Sequence, residues 1–560
     1  MSMQTTIWYR YLKWIKKIPL LISSLALFIL IYEFGFERSL IDSRIVSQFY
    51  ILTIVIGIIF ILGRYIKKKS RPRLRVLVID IILVGFLIFQ VLNSLNILEN
   101  YPYLFRYQGV FTFFAIFIVF IRELFVISFN LKQFTVNPAQ LFITSFFSLI
   151  IFGSLLLLLP NATYEGIEVI DALFTSTSAV CVTGLIVVDT GSYFTLFGQF
   201  IIIFLVQAGG LGIMTFASYF GYFFKGGASY ETQLLLYDFT STEKLGDVLK
   251  TLKRIILITF ILELIGAILI FQSISKIEIL SFSERLFFSF FHSVSGFCNA
   301  GFSTLENSFF ELPFRFNYSL HLIIAVLIIL GGIGFPIVFN LLKYLKIKSI
   351  NFIKYLFQQK EYVHSPWIIN LNTRIVLATT FVLILFGFVM FFILEYDNTL
   401  AEHSMYGKIV ASFFGSVTTR TAGFNTVDTS MLNIPIVMVI LFLMWIGASP
   451  GSTGGGIKTS TFAIAVFNFI SLAKGRQRIE ILQREISQVS VNRASAIMIL
   501  SILVIFISSF GINVFDSDKG LLSIFFEVVS AHSTVGLSRG ITASLSNPGK
   551  FILILTMFVG

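Results

Sequence analysis

Charged residues and cysteine are both scarce. Only 12% of the 560 residues are Asp, Glu, Lys or Arg, against 56% apolar, whereas a globular domain is about a quarter charged. A fold with an ordinary water-facing surface is excluded. The two cysteines, Cys181 and Cys298, are too few and too far apart for a disulfide framework or a zinc site. The five histidines include no H-x-x-x-H pair, which removes the helical metal-binding arrangement. The alternation of a membrane barrel strand is missing too. The net charge of +12 comes with neither a basic groove nor an aromatic RNA-reading motif, so nucleic acid is not expected as a partner.

What is present is a succession of long Phe- and Ile-rich runs. A bilayer core of about 30 Å takes roughly 20 apolar residues in a helix, and only helices or closed barrels satisfy their backbone there. The continuous runs therefore predict helices. Four spans come first, at 18–33, 46–65, 75–94 and 107–128. The first follows Arg10, Lys13, Lys16 and Lys17 without a small-residue cleavage site, and reads as a retained anchor. Between the second and third lie Arg64, Lys67, Lys68, Lys69, Arg71, Arg73 and Arg75, while the flanking loops carry Glu33, Glu37, Asp42 and Glu99. The positive-inside rule puts the basic loop, and with it the N-terminus, in the cytoplasm.

From 139 onward one unit recurs: a long span, a short weakly apolar stretch, a second long span. The spans are 139–160 and 197–222 around 170–190, 254–272 and 317–342 around 283–304, and 373–395 and 432–470 around 405–425. A span at 494–513 then precedes a stretch at 521–538 and a run from Phe551. The short stretches read as re-entrant loops, tolerated at membrane depth only where protein or water lines them. Their glycines, Gly184, Gly301, Gly423 and Gly536, stand 117, 122 and 113 residues apart, a period that marks an internal repeat. Lys250, Lys253 and Arg254, then Lys343, Lys346, Lys348, Lys354 and Lys360, then Lys474, Arg476, Arg478 and Arg484 separate the repeats, on the side opposite the loops.

The expected fold is an all-α polytopic membrane protein. Four pseudo-symmetric helix–pore loop–helix repeats surround a central pore, preceded by four extra transmembrane helices. The boundaries read as an extension at 1–135 and repeats at 136–225, 226–345, 346–472 and 473–560.

The loop ends read V-T-G-L at 182–185, N-A-G-F at 299–302, T-A-G-F at 421–424 and T-V-G-L at 534–537. A potassium ion that sheds its water needs a cage of oxygens, and backbone carbonyls from several loops supply one. Turning successive carbonyls to one side takes backbone angles that glycine tolerates, and the short helix before each glycine aims its negative end at the cavity. The candidate ligands are the carbonyls of Val182, Thr183, Gly184, Asn299, Ala300, Gly301, Thr421, Ala422, Gly423, Thr534, Val535 and Gly536, and no side-chain carboxylate is needed. Four ordinary turn glycines are the plainer alternative, which the even spacing between membrane spans disfavours.

These stretches carry a resemblance. S-A-V-C-V-T-G-L at 178–185, C-N-A-G-F at 298–302, S-V-T-T-R-T-A-G-F-N-T-V-D at 416–428 and T-V-G-L at 534–537 resemble the Trk/Ktr/HKT superfamily of potassium transporters. With V-V-D-T-G at 187–191, they are most similar to its Ktr branch. Q-A-G-G-L-G-I-M-T at 207–215 looks like the signature after the first loop, and G-A-S-P-G-S-T-G-G-G-I-K at 447–458 like the intramembrane gate. Five glycines and Pro450 within twelve residues cannot sustain a helix, independently of any likeness. Gly454, Gly455, Gly456 and Lys458 are thus candidate gate residues; a snorkelling lysine is the other reading of Lys458.

The resemblance implies potassium uptake across a bacterial inner (plasma) membrane, a homodimer with a pore in each chain, and a cytosolic ring of nucleotide-binding regulatory subunits. Membrane lipid is the other expected partner. Potassium is the substrate, and no cofactor is expected in this chain. In the family a serine in the first filter accompanies sodium, so Gly184 implies potassium. A sodium or non-selective cation transporter of the same architecture is the nearest rival. A polytopic membrane enzyme is remote, because Glu263 and Glu527 form no catalytic pair.

Other residues have two readings each. His292 and His532 are hydrogen-bonded supports rather than pH sensors, and Cys181 and Cys298 are packing residues rather than redox sensors. Arg420 either sets an electrostatic barrier or pairs with a carboxylate such as Asp428, the pairing being preferred. Asp80 either pairs with a neighbouring helix or faces a polar crevice. The fourth span carries only Arg106 and Arg122, against the regular arginines of a voltage sensor. Ten residues from Phe551 to Gly560 rise about 15 Å, half a bilayer core, so the coding sequence is expected to continue.

Overall fold

The structure is a computed structural model, which describes residues 18–36, 43–67, 74–95, 108–126, 138–223, 248–275, 277, 281–358, 369–475, 479–481 and 484–560. Arg10, Lys13, Lys16, Lys17, Lys68, Lys69, Arg71, Arg73, Arg106, Lys360, Arg476 and Arg478, which carry much of the orientation reading, lie outside the described residues. Among the described residues there are eighteen α-helices. Six are long and apolar enough to cross a membrane, or seven if one bent pair counts as a span.

The chain divides into two compact units, 1–135 with 159–161, and 136–158 with 162–560. The first holds α1 (Ile18–Gly35), α2 (Ser43–Lys67), α3 (Leu74–Ser94) and α4 (Gln108–Val126). Small residues let these helices approach: Gly57 on α2 lies against Val119 of α4, and Ala26 and Ala115 are fully buried. Asp80 pairs with a neighbouring helix. Arg122 of α4 donates to it twice, Nε to Oδ1 at 3.0 Å and an Nη to Oδ2 at 2.8 Å, and the Tyr65 hydroxyl donates to the same carboxylate.

The second unit begins with α5 (Pro138–Leu157), the short α6 (Val169–Val180) and α7 (Leu196–Phe223). The pattern returns as α8 (Val248–Ser273), α9 (Phe282–Cys298) and α10 (Tyr318–Ile333) with its continuation α11 (Phe335–Gln358). It returns again as α12 (Leu371–Leu394), α13 (Met405–Thr418), α14 (Ile434–Trp445) and α15 (Thr459–Ala473), and finally as α16 (Gln488–Phe515), α17 (Leu521–His532) and α18 (Asn547–Val559). The four short helices start on polar caps or glycine. Ser281 forms a full capping box with Glu284, and Ser404 accepts from Gly407 N, which satisfies orphan donors of the first turn.

The long outer helices expose apolar side chains, as a lipid-facing surface does. On α16 these include Leu500, Phe506 and Phe510; on α8, Phe260 and Leu264; on α12, Phe381 and Ile393. The short helices are instead buried by their neighbours. Outer-helix glycines make this possible in three of the four units. A methyl group at Gly153, Gly266 or Gly387 would strike the hydroxyl of Ser176, Ser293 or Ser416 on the short helix. Each of those hydroxyls donates to a carbonyl one turn before the glycine, Ile150 O, Glu263 O and Ile384 O, at 2.6–2.7 Å.

One span differs from its sequence reading. The apolar run 317–342 is not one straight helix. It breaks at Gly334 (φ 88°, ψ 142°), and α11 leaves α10 at 104°. Gly334 takes up the left-handed angle there, and Pro336 cannot donate to an ongoing ladder.

Candidate ion pathway

The four short helices end just before the four candidate loops, and their termination sets the loop backbone. Val182, Asn299 and Thr534 adopt φ of 57°, 60° and 48°. In each of these loops the amide of the following residue bonds back across the turn, Thr183 to Ser178 O, Ala300 to Ser295 O and Val535 to Ser530 O, all at 2.8 Å. This is the left-handed helix stop that normally takes Gly or Asn. The third loop differs slightly: Thr421 has φ 68°, and Gly423 N reaches Thr418 O at 3.3 Å.

The glycines Gly184, Gly301, Gly423 and Gly536 are left-handed again, at φ 86°, 68°, 78° and 90°. In each loop φ is thus positive at the first and third of the three residues and not at the second. The positive φ at the third position favours glycine, and the neighbouring loop leaves no room for a side chain there.

The loops close on one another in order. A methyl group at Gly184 would strike Ala300 O; at Gly301, Ala422 O; at Gly423, Val535 O; and at Gly536, Thr183 O. Four successive contacts return to the first loop, so the twelve candidate residues form a ring. Hydroxyls hold its outer edge. Ser178, Ser295 and Thr418 donate to Leu185 O, Phe302 O and Phe424 O at 2.7–2.8 Å, and Gly536 N donates to Ser530 Oγ at 3.1 Å. The large residue after each glycine is buried. Phe424 stacks on Phe309 with ring centroids 5.2 Å apart.

The stretch 446–458 between α14 and α15 lies against the end of this ring at which the short helices arrive. Gly455 N donates to Thr534 Oγ1 at 2.9 Å, and Gly454 is packed against Thr421 Oγ1. Gly456 lies against Ser533. Asn299 closes the same layer, its amide oxygen accepting from Thr421 Oγ1 at 3.3 Å and its nitrogen donating to Ile328 O and Gly296 O at 3.1 Å. The candidate gate residues Gly454, Gly455, Gly456 and Lys458 are therefore together. Lys458 Nζ donates to Gly454 O at 2.6 Å, which ties the stretch to itself.

Arg420 does not pair with Asp428. Its guanidinium donates to Gly447 O at 3.2 Å, while Asp428 accepts from Ser430 N and Oγ in its own turn. Three residues before each filter glycine stand Cys181, Cys298, Arg420 and Ser533. The first two are buried free thiols, the fourth touches the stretch at Gly456, and the third is the charged one of the four. His292 is fully buried; Nδ1 donates to Phe288 O and Nε2 lies 2.9 Å from Ser303 Oγ. His532 Nε2 lies 2.8 Å from Ser501 Oγ, which also accepts from Trp445 Nε1 at 3.0 Å.

Glu263 and Glu527 do not meet, but neither lacks polar company. Glu263 accepts from Gln207 Nε2 at 3.3 Å. Glu527 accepts from Ser538 Oγ, Arg539 N and Thr542 Oγ1 at 2.7–2.9 Å, which fixes the segment leaving the fourth loop. No signal in the sequence pairs these residues, since the partners arrive through the loop's path.

Known proteins resemble this chain over most of its length. Residues 107–560 match the TrkH family model, described as a cation transport protein. The Ktr system potassium uptake protein B of Bacillus subtilis (strain 168) is 35% identical over 426 residues, 76% of this chain and 90% of that protein. The potassium/sodium uptake protein NtpJ of Enterococcus hirae is 34% identical over 76% of this chain and 90% of its own length. Among solved structures, the potassium transporter TrkH from Vibrio parahaemolyticus aligns with a TM-score of 0.59 at 18% identity, covering 92% of this chain and 95% of that one; at that identity the likeness concerns the fold.

Proposed function

The chain belongs to the TrkH family of cation transport proteins, and from that membership we propose that it takes up potassium through a pore of its own. It is a transporter, not an enzyme, with potassium as substrate. The ion binds at the carbonyls of residues 182–184, 299–301, 421–423 and 534–536, and the stretch 446–458 gates the pore from the inner end. The observation that carries the reading is the closed ring of glycine-to-carbonyl contacts on loops whose first and third residues have positive φ. Such a ring offers oxygen ligands without a fixed negative side chain, as a dehydrated monovalent cation requires.

The membrane is the bacterial plasma membrane, with the N-terminus cytoplasmic by the distribution of Lys and Arg. Two copies form a homodimer, and a ring of nucleotide-binding subunits acts on the cytosolic face; both follow from the likeness to Ktr systems. Sodium is the alternative cargo, favoured by the likeness to a protein named for both potassium and sodium uptake.

Purified protein in proteoliposomes tests the reading. Uptake of rubidium as a potassium tracer is expected to exceed sodium uptake at equal gradient, and deletion of 454–456 is expected to raise it. Equal rubidium and sodium flux would move the cargo to the non-selective alternative. A deletion variant that inserts normally and transports at the wild-type rate would remove the gate.

A further inference from the structure

The stretch 446–458 makes two different kinds of contact. Its first part is joined to the break in α10–α11. Ser449 N donates to Gly332 O at 2.9 Å, and Phe335 N donates to Gly451 O at 3.1 Å. Gly334 lies so close to Pro450 O that a methyl group there would stand 2.6 Å from it. Two interrupted helices thus satisfy each other's freed backbone groups, which at membrane depth have no water to turn to. The second part touches the ring instead. Gly454 meets Thr421, Gly455 N donates to Thr534 Oγ1, and Gly456 meets Ser533. Thr453 is fully buried; its methyl stands 3.7 Å from a Cβ built on Gly210, and its hydroxyl has no hydrogen-bond partner.

We propose that residues 448–452 are a fixed limb clasped to the α10–α11 break, that 453–456 are the moving plug, and that the Thr534 hydroxyl is the latch holding the plug shut. The proposal rests on reading 446–458 as the gate, and adds which part moves and what releases it.

The two parts differ in what opening would cost. Freeing 448–452 strands backbone donors and acceptors on both breaks, at least one hydrogen bond on each side. Freeing 453–456 from the ring gives up one hydrogen bond to it, from Gly455 N to Thr534 Oγ1; its other bonds, Ala448 N to Gly455 O at 3.3 Å and Lys458 Nζ to Gly454 O at 2.6 Å, lie within the stretch itself, and glycine is the residue whose backbone rearranges most readily. The latch is separable from ion binding, because the carbonyl of Thr534 belongs to the ring while the hydroxyl faces the plug. Valine suits the test. It has the shape of threonine without the acceptor, and Val182 already occupies the matching position of the first loop at φ 57°.

Rubidium uptake by Thr534→Val, Thr534→Ser and the 454–456 deletion decides the matter. Thr534→Val is expected to raise basal uptake about three- to tenfold, the change in an equilibrium that one hydrogen bond supports, with the rubidium-to-sodium ratio kept. Thr534→Ser is expected to return uptake toward the wild-type level. A deletion that raises flux beside a Thr534→Val that does not would overturn the latch while leaving the gate standing; a deletion without effect would bring down the gate itself.

The limb is tested by Gly332→Cys with Ala448→Cys. A Cβ built on Gly332 stands 3.9 Å from Ala448 Cβ, inside the roughly 3.5–4.5 Å of a disulfide. Oxidised protein is expected to transport as the reduced form does, and a block relieved by reductant would overturn the fixed limb. Hydrogen exchange on the unmodified protein gives the same answer without a variant: the amides of 453–456 should exchange at least tenfold faster than those of Ser449 and Phe335. Equal protection would count against the division.

Discussion

Lys550 Nζ stands 2.6 Å from Asp171 Oδ1, which ties the first turn of α18 to the first turn of α6. The chain itself connects the first repeat to the second, the second to the third and the third to the fourth. The fourth meets the first only through space. At that seam the structure places an ion pair whose side chains are 10% and 13% exposed. The ring contact from Gly536 to Thr183 O crosses the same seam.

Lys550→Met should therefore destabilise the folded protein by about 2 kcal/mol, between the values for exposed and buried pairs, because Asp171 is left half-buried without its cation. The measurement is the thermal midpoint of the detergent-solubilised protein. The charge swap Lys550→Asp with Asp171→Lys should recover part of the loss. A swap as unstable as the single variant would show that packing, not charge, closes the seam.

Much of this was legible in the sequence, for identifiable reasons. Glycine is nearly obligatory where φ is positive and a neighbouring carbonyl is in contact, so Gly184, Gly301, Gly423 and Gly536 stood out at even spacing. The break at 446–458 was legible because five glycines and a proline oppose a helix. The break at Gly334 carried a similar signal in G-G-I-G-F-P at 331–336, but the apolar run passes through it and length alone suggested one span. The left-handed angles at Val182, Thr421 and Thr534 had no local signal, since β-branched residues avoid them; the helix stops and the ring impose them. The partner of Arg420 was misread because Asp428 is near in sequence, whereas Gly447 O arrives only through the fold.

In the N-terminal unit, the Asp80–Arg122 pair joins α3 to α4, and Asp80 is 3% exposed. Asp80→Asn keeps the shape but leaves a guanidinium facing a neutral amide among apolar helices. The expected cost is about 3 kcal/mol, the lower end for breaking a buried pair, because Arg122 is 24% exposed at its side chain. Limited proteolysis should then cut within 1–135 before 136–560. Unchanged proteolysis and an unchanged thermal midpoint would mean that the pair contributes little to holding these helices.

The sharpest test of the ring is Gly184→Ser. The backbone at Gly184 has φ 86°, which a residue with a side chain rarely adopts. A Cβ there would also drive into Ala300 O of the next loop. The loop must give way, and the carbonyls on either side shift with it. Selection for potassium depends on several oxygens being held together, so the substitution is expected to lower the rubidium-to-sodium uptake ratio at least tenfold while sodium flux persists or rises. Gly536→Ala meets the corresponding obstacle at Thr183 O and should act in the same direction from the opposite side of the seam. If the two variants insert and keep the wild-type ratio, the carbonyls of these loops do not set selectivity, and the ligands for the ion must be sought elsewhere along the pathway.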